Sequence, residues 1–234
     1  MRALDVSNSM PDNSSSVLDV ETRARCSQGS SNAAIYEMVT RALQRHGISG
    51  GRIVDVGCGE GHLYPYVQGR FQEYVGVDVV RYDRFPAEGE FVKMDLDQDS
   101  LPLPGNGADV VVAVETIEHL ENPRHFMRQL VRLAKPDGWV IVTTPNQLAL
   151  LSILSLIVKH RFGAFQDVHY PAHISALLEI DLTRIATESG VSDLEFEYSL
   201  CGRIPGTPLS YPQFLSRIFP RALSDNLLLA GRKK

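Results

Sequence analysis

Two groups of residues in this chain have the types and spacing that binding and catalysis need. The first is a glycine-rich turn, formed by Gly57, Gly59 and Gly61, which directly follows the apolar run at residues 53–56. Glycines between a strand and a helix allow a positive φ and let a ligand approach the main chain closely. The helix start beyond the turn offers unpaired N–H groups to a carboxylate or phosphate. The turn therefore predicts a site for a nucleotide-like cofactor.

The second group is Glu115, Glu118 and His119, which follow the apolar run at residues 109–114. Side chains at positions i, i+3 and i+4 share one face of a helical turn, so the three can converge. Two carboxylates with one or two imidazoles suit Mg²⁺ or Mn²⁺, and Zn²⁺ is a further possibility. Without a metal, His119 is the best candidate for a general base.

Strands and helices that alternate along the chain must position these groups. Apolar, β-branched runs predict strands near residues 53–56, 74–78, 90–95, 109–115 and 139–143, with further strands at 194–198 and 226–232. Helical patterns lie between them, and Asn122 with Pro123 marks one helix start. This alternation predicts a doubly wound α/β sheet. Right-handed crossovers would place Gly57, Asp78 and Glu115 along one rim.

The spacing of the glycines separates two kinds of cofactor. The pattern here is G-x-G-x-G, preceded by Asp55, which is one residue shorter than the dinucleotide fingerprint. From about Ile53 to Asn146, the order and intervals of the motifs resemble class I S-adenosylmethionine (SAM) methyltransferases. The resemblance implies SAM as the cofactor. It also implies a Rossmann-like, seven-stranded, mostly parallel sheet with an antiparallel last strand and a small helical cap insertion.

The same resemblance assigns roles to single residues. Asp78, at the end of the second strand, would accept the ribose hydroxyls, although a strand-terminal Asp is sometimes only a turn-former. Asp95 and Leu96 would face the adenine, and the alternative is a solvated acidic loop. The full set of expected cofactor-binding residues is Asp55, Gly57, Cys58, Gly59, Gly61, Asp78, Val79, Asp95, Leu96 and Glu115.

The Glu-x-x-Glu-His spacing resembles two methyltransferase groups that use a divalent ion. They are the ubiquinone-pathway O-methyltransferases and the small-RNA terminal 2′-O-methyltransferases, and in both a downstream histidine completes the site. Here His169 and His173 are candidates, and His173 fits better because it immediately precedes the segment that leads into the next helix. The expected metal ligands are Glu115, Glu118, His119 and His173, with His119 and Glu118 as the catalytic residues.

The domain organisation follows from composition and apolar patterning. Residues 1–31 are predicted to be a mobile N-terminal tail, and residues 32–234 one methyltransferase domain with a cap insertion at 147–171. Residues 148–158 are apolar almost throughout and precede Lys159 and Arg161. The segment is too short to span a bilayer. It is a buried helix or a cap over the substrate pocket, or else an interfacial helix, with peripheral membrane contact through residues 148–162.

The net charge and the cysteine count limit which classes of partner are expected. A net charge of −5 argues against a nucleic-acid partner, and three scattered cysteines indicate neither a disulfide framework nor a zinc motif. The N-terminal residues lack the apolar core of a signal peptide, and we expect a cytoplasmic location.

The leading hypothesis is O-methylation of a small-molecule hydroxyl, for example on a catechol or vicinal diol with metal assistance. The substrate could be apolar or lipid-linked. The alternatives are a metal-free N- or O-methyltransferase with His119 as general base, an RNA 2′-O-methyltransferase, an NAD-dependent oxidoreductase, and a SAM-binding protein without turnover.

We predict that two substitutions separate binding from turnover. Asp78→Ala should weaken cofactor binding, because it removes the acceptor for the ribose hydroxyls. His119→Ala should spare cofactor binding and remove turnover. Isothermal titration with SAM and product assays on both variants check this, and equal losses of affinity in the two would contradict it.

Overall fold

A seven-stranded sheet lies at the centre of the computed structural model, which describes residues 21, 22, 24, 25, 31–97 and 102–234. The strand order is β3-β2-β1-β4-β5-β7-β6. β7 pairs antiparallel with both β5 and β6, and the other neighbouring strands are parallel. The expected doubly wound, mostly parallel sheet is therefore confirmed. Most of the predicted tail at 1–31 lies outside the described residues.

The elements follow the predicted alternation. The strands are β1 (Arg52–Val56), β2 (Glu73–Asp78), β3 (Glu90–Lys93), β4 (Ala108–Ala113), β5 (Ala134–Pro145), β6 (Val191–Tyr198) and β7 (Asn226–Lys233). The helices are α1 (Ala33–Arg45), α2 (Tyr64–Val67), α3 (Pro123–Leu133), α4 (Leu150–Lys159), α5 (Glu179–Glu188) and α6 (Gln213–Ile218), with 3₁₀ turns at Ile117–His119 and Asp167–His169.

Both faces of the central strands are covered, which explains their continuous apolar sequence. Along β1, Val54 belongs to one buried cluster and its neighbour Ile53 to another, because successive side chains of a strand point to opposite faces. Phe126 of α3 packs into the first cluster and Met38 of α1 into the second. The sheet is therefore sandwiched between helices, and only its ends are left for ligands.

The local signals at the helix starts are confirmed. The Asn122 side chain accepts a hydrogen bond from the His125 N–H at 2.9 Å, and Pro123 is the first residue of α3. Asn32 caps α1 in the same manner through the Ala34 N–H. These caps fix where each helix begins relative to the strand before it.

The fifth strand is longer than predicted. The predicted run begins at residue 139, but α3 ends at Leu133 and β5 begins at the next residue, Ala134. Ala134 pairs with Ala108 of β4, and an irregularity in register follows before regular pairing resumes at Trp139. The Pro-Asp-Gly residues therefore form this irregular part of the strand, and Asp137 takes a φ of 60°.

The cap insertion also departs from expectation. α4 buries only Ser152, while Ile157 and Val158 are 66% and 74% exposed. The interpretation of α4 as a buried helix is therefore wrong. No helix among the described residues is long and apolar enough to cross a membrane.

The cap of α3 offers a test of the local energetics. Asn122→Ala should lower the free energy of unfolding by about 1 kcal/mol, because the His125 N–H loses its acceptor. Urea denaturation measures this difference. Arg128→Ala, at an exposed position on the same helix, is the control and should change stability by less. Equal effects of the two substitutions would contradict the capping role.

Candidate active site

A cavity of about 900 Å³ opens at the carboxyl rim of the sheet. This volume is in the range of sites that enclose a small ligand. The cavity brings together most of the residues that the sequence singled out. The predicted residues that line it are Asp55, Gly57, Cys58, Asp78, Val79, Asp95, Leu96, Glu115, His119 and His173.

The glycine turn is shaped by close approach to the neighbouring loop. Gly57 has a φ of 80°, and a Cβ added there would lie 2.2 Å from Thr116 Oγ1, so no larger residue fits. Gly61 also has a φ of 80°, but a Cβ there would meet Pro86. Gly59 and Gly61 were predicted to bind the cofactor, yet neither is among the residues that line the cavity. In this structure they shape the turn.

Asp78 holds the turn in place and faces the cavity. Its Oδ2 accepts from the Gly59 N–H at 2.8 Å and its Oδ1 from the Val80 N–H at 3.1 Å. Burial raises the pKa of Asp78, and these backbone hydrogen bonds partly oppose the rise. Each carboxylate oxygen accepts two hydrogen bonds, so both retain capacity for a ligand hydroxyl.

Asp55 is a buried acceptor with half of its carboxylate unused. The Tyr74 hydroxyl donates to Oδ2 at 2.6 Å, whereas Oδ1 is buried without a hydrogen-bond partner within the described part of the chain. Burial raises the pKa of Asp55 to about 7, and the Tyr74 hydrogen bond opposes this rise. An unsatisfied buried acceptor that lines a cavity favours a ligand with a donor, such as an ammonium group.

These acceptors fit SAM. Asp55 offers an acceptor suited to an amino group, Asp78 one suited to a diol and Asp95, next to Leu96, one suited to an adenine amine, and all four residues line the same cavity. Gly57 keeps the main chain accessible there. The chemistry of the lining residues therefore agrees with the cofactor that the sequence implied.

Glu118, His119 and His173 form a cluster with metal-binding geometry, and its two histidines line the cavity. One possible ligand atom from each lies within 4.8 Å of the other two. His119 Nδ1 donates to the Ala172 carbonyl at 2.8 Å, and His173 Nδ1 donates to the Ala164 carbonyl at 2.7 Å. A carbonyl only accepts, so both protons lie on Nδ1 and the lone pairs on Nε2. This is the arrangement that metal-binding histidines usually have.

The fold brings His173 close to His119, which lies 54 residues earlier in the chain. The Glu118 carbonyl accepts hydrogen bonds from the Ile174 and Ser175 N–H groups, at 3.0 and 2.9 Å. The segment that follows His173 is thus tied to the 3₁₀ turn that carries Glu118 and His119. His169 lies outside the cluster, and its Nδ1 accepts from the Gln166 N–H.

Glu118 is the most deeply buried member of the cluster. It is 0% exposed, and its Oε2 accepts from Thr144 Oγ1 at 3.1 Å while Oε1 has no partner among the described residues. Burial, and then the proximity of Glu115, raises the pKa of Glu118 well above its usual range. A cation beside Oε1 would offset this cost. Glu118 does not itself line the cavity, so it can reach a substrate only through the cluster.

Glu115 was predicted to be a fourth ligand but is outside the cluster. Its Oε1 accepts from Thr143 Oγ1 at 3.0 Å, and its Oε2 accepts from Asn226 Nδ2 at 2.7 Å. β4 ends at Ala113, and Glu115, two residues later, has a φ of 48°. Burial raises the pKa of Glu115 to about 7. Glu115 lines the cavity, where a bound cofactor can reach it, so its contact with the cofactor stays a prediction.

Sequence reasoning missed the residues that hold these carboxylates. Thr143 and Thr144 end β5, and Asn226 begins β7. The position of the threonines at the end of a predicted strand was a usable signal. Asn226 had a signal too, because the last strand was expected to be antiparallel and the first residue of an antiparallel strand lies at this rim.

Comparisons with known proteins agree with this site. A family model described as "Methyltransferase domain" matches residues 30–195. A probable S-adenosylmethionine-dependent methyltransferase of Mycolicibacterium smegmatis is 28% identical over 48% of this chain and 45% of that protein. A ubiquinone biosynthesis O-methyltransferase of Chromobacterium violaceum is 28% identical over 49% of this chain and 53% of that protein. The chain thus spans about half the length of these curated relatives.

Solved structures support the fold. A SAM-dependent methyltransferase from Archaeoglobus fulgidus superposes with a TM-score of 0.60, at 18% identity, over 85% of this chain and 94% of that chain. At this identity the likeness concerns the architecture alone.

The raised pKa of Asp55 predicts how stability depends on pH in the cofactor-free protein. Folded Asp55 keeps its proton up to about pH 7, while the unfolded chain loses it near 3.8. The folded state binds the extra proton in that window, so Asp55 makes the protein less stable as pH rises from 4 to 7. Asp55→Asn should remove this loss of stability. The free energy of unfolding of the variant minus that of wild type should therefore increase by more than about 1 kcal/mol from pH 4 to pH 7.

Urea denaturation at a series of pH values measures this difference. Glu37→Gln, which changes an exposed carboxylate on α1, is the control. An Asp55→Asn difference that stays constant from pH 4 to 8 would contradict the burial argument.

Proposed function

The chain belongs to the methyltransferase domain family, and from that premise we propose that it methylates a hydroxyl group of a small molecule. Membership implies SAM as the cofactor, which when bound supplies an electrophilic sulfonium methyl group. The observation that carries the choice of oxygen chemistry is the cluster of Glu118, His119 and His173, whose two histidines line the cavity. Such a cluster suits activation of a hydroxyl.

In this proposal the carboxylates at the rim hold the cofactor. The unsatisfied Asp55 Oδ1 accepts from the cofactor's amino group, and Asp78 accepts from the ribose hydroxyls. Asp95 and Leu96 lie against the adenine, and Gly57, Cys58 and Val79 line the space between. Glu115, fixed by Thr143 and Asn226, closes the rim on the side of the reaction.

Glu118, His119 and His173 would hold a divalent ion, Mg²⁺ or Mn²⁺, with open positions left for a substrate. Such an ion supplies Lewis acidity that lowers the pKa of a substrate hydroxyl. The chain contributes the positions of the ligands. The Ala172 and Ala164 carbonyls set the two imidazoles in the correct tautomer, and Thr144 orients the Glu118 carboxylate. A catechol or vicinal diol suits two adjacent open positions.

A second candidate mechanism needs no metal. Because His119 Nδ1 donates to the Ala172 carbonyl, the Nε2 lone pair is the one available to take a proton from a substrate hydroxyl or amine. His119 would then act as the general base, with its ring held by that carbonyl. The two mechanisms share His119 but differ in what they require of Glu118 and His173.

The acceptor side of the cavity indicates the substrate class. Leu151, Ala164, Val168 and Tyr170 line it, and the one Lys or Arg among the described lining residues is Arg203. We infer a small acceptor with an apolar part, which includes lipid-linked compounds. The C. violaceum relative, whose name places it in ubiquinone biosynthesis, is consistent with an acceptor of this kind.

A panel of catechols, other phenols and apolar diols, assayed with and without a chelator, tests the proposal. We expect methyl transfer to a catechol that falls on chelation and returns with Mg²⁺ or Mn²⁺. Glu118→Gln and His173→Ala should weaken Mn²⁺ binding, measured calorimetrically, by more than about tenfold, while SAM binding is retained.

His125→Ala provides the matched control, since His125 lies on α3 outside the cluster. It should leave Mn²⁺ affinity and turnover unchanged. Turnover that is insensitive to chelator but lost in His119→Ala would overturn the metal and favour the general base. Turnover that survives both changes would overturn both mechanisms.

A further inference from the structure

The exposed apolar side chains of this protein are concentrated at one place. Fourteen large hydrophobic residues are exposed in the described part of the chain, and all but Ile180 fall within residues 150–174 and 209–219. Scattered exposed hydrophobics are ordinary on protein surfaces, but a concentration marks an interaction site. We call residues 150–174 and 203–221 the cap surface. Its exposed hydrophobics are Leu150, Ile153, Leu154, Leu156, Ile157, Val158, Val168, Tyr170, Ile174, Leu209, Phe214, Ile218 and Phe219.

The two parts of the cap surface are neighbours in the fold. The Leu150 N–H donates to the Ala222 carbonyl at 2.8 Å, and Asn146 Nδ2 donates to the Arg221 carbonyl at 2.7 Å. The start of α4 is thereby fixed against the segment that follows α6. Neither helix covers the other's apolar residues, since Ile157 and Phe214 are 66% and 64% exposed.

The cap surface is basic on an acidic protein. It carries five Lys or Arg residues and one Asp, a net charge of +4, whereas the whole chain has −5. Two of the five, Arg203 and Arg221, form ion pairs with Asp225 and Glu179 just outside the surface. Lys159 and Arg217 have no ion pair within the described ranges. Apolar side chains together with basic ones are the composition of surfaces that lie in the headgroup region of anionic bilayers. At ten residues, α4 can lie in such an interface but cannot cross it.

The mouth of the cavity opens within this surface. Val168 and Tyr170 line the cavity and are 82% and 74% exposed, so they stand at its rim. Leu151 and Ser152, on α4, line it as well. A molecule partitioned into a bilayer beneath the cap surface would meet the cavity without passing through water.

We propose that the cap surface docks this protein on anionic lipid bilayers and receives its acceptor from them. A second copy of the chain fits the surface less well, because a two-fold contact would place one +4 surface against another. The identity of the acceptor rests on the proposed function, whereas the docking itself rests on the cap surface alone.

Vesicle co-sedimentation of the full chain tests the docking. We expect binding to phosphatidylcholine vesicles that contain about 30% phosphatidylglycerol, and weak binding to pure phosphatidylcholine. The double substitution Lys159→Glu/Arg217→Glu should lower the partition onto anionic vesicles at least about tenfold. Ile157→Gln/Phe214→Gln should lower it as well, since the apolar contribution is lost.

Two matched controls separate docking from general charge and hydrophobicity. Arg128→Glu/Arg184→Glu changes the net charge equally at exposed positions on α3 and α5, and Ile180→Gln removes the exposed hydrophobic residue outside the cap surface. Both should bind anionic vesicles as wild type does. All variants should keep the wild-type thermal shift with SAM, which shows that they fold.

Three outcomes would overturn the proposal. They are equal binding to neutral and anionic vesicles, equal losses in the cap and control variants, and a dimer in sedimentation velocity that the cap substitutions dissociate while vesicle binding is absent. Because the readout is vesicle binding, failure to find a methylated acceptor would count against the proposed function and leave this result unaffected.

Discussion

The burial of four carboxylates at one rim of the sheet is the constraint on which the site depends. Asp55, Asp78, Glu115 and Glu118 all have pKa values raised by burial. Taking a carboxylate out of water is costly unless hydrogen bonds or cations compensate it. The fold gives each oxygen of Asp78 and Glu115 at least one donor, but leaves one oxygen of Asp55 and one of Glu118 without a partner among the described residues. A ligand that brings a hydrogen-bond donor or a positive charge to either of these two oxygens therefore gains the most binding free energy.

The sheet topology explains how the compensating donors arrive. Three parallel strands, β1, β2 and β4, deliver the glycine turn, Asp78 and the Glu115–His119 segment to the rim from their carboxyl ends. β7 runs the other way between β5 and β6, so its first residue, Asn226, reaches the same rim. There it bonds Glu115 beside Thr143. A parallel seventh strand would have placed Asn226 at the opposite end of the molecule.

The cap insertion contributes both to the wall of the cavity and to the exposed surface of the protein. Its inner residues, such as Leu151 and Ser152, complete the wall of the cavity, and its outer residues remain exposed. The chain from 163 to 175 also positions His173, because its carbonyls and N–H groups bond to His173 itself and to Glu118. The wall of the cavity and the geometry of the cluster therefore depend on one segment. A substitution within residues 163–175 should therefore alter both the cavity and the cluster.

Much of this protein is determined by its sequence alone. The β-branched runs, the glycine spacing and the Asn-Pro helix start gave the sheet, the turn and α3, because these signals act between residues close in the chain. They also gave the cofactor class and the acidic residues at the rim. The partners of those residues came only with the tertiary structure. Pairing across the sheet decided that Asn226 and Thr143 hold Glu115 away from the cluster, and packing decided that α4 stays exposed. Local sequence carries no record of such contacts, since they join residues that meet only after the chain has folded.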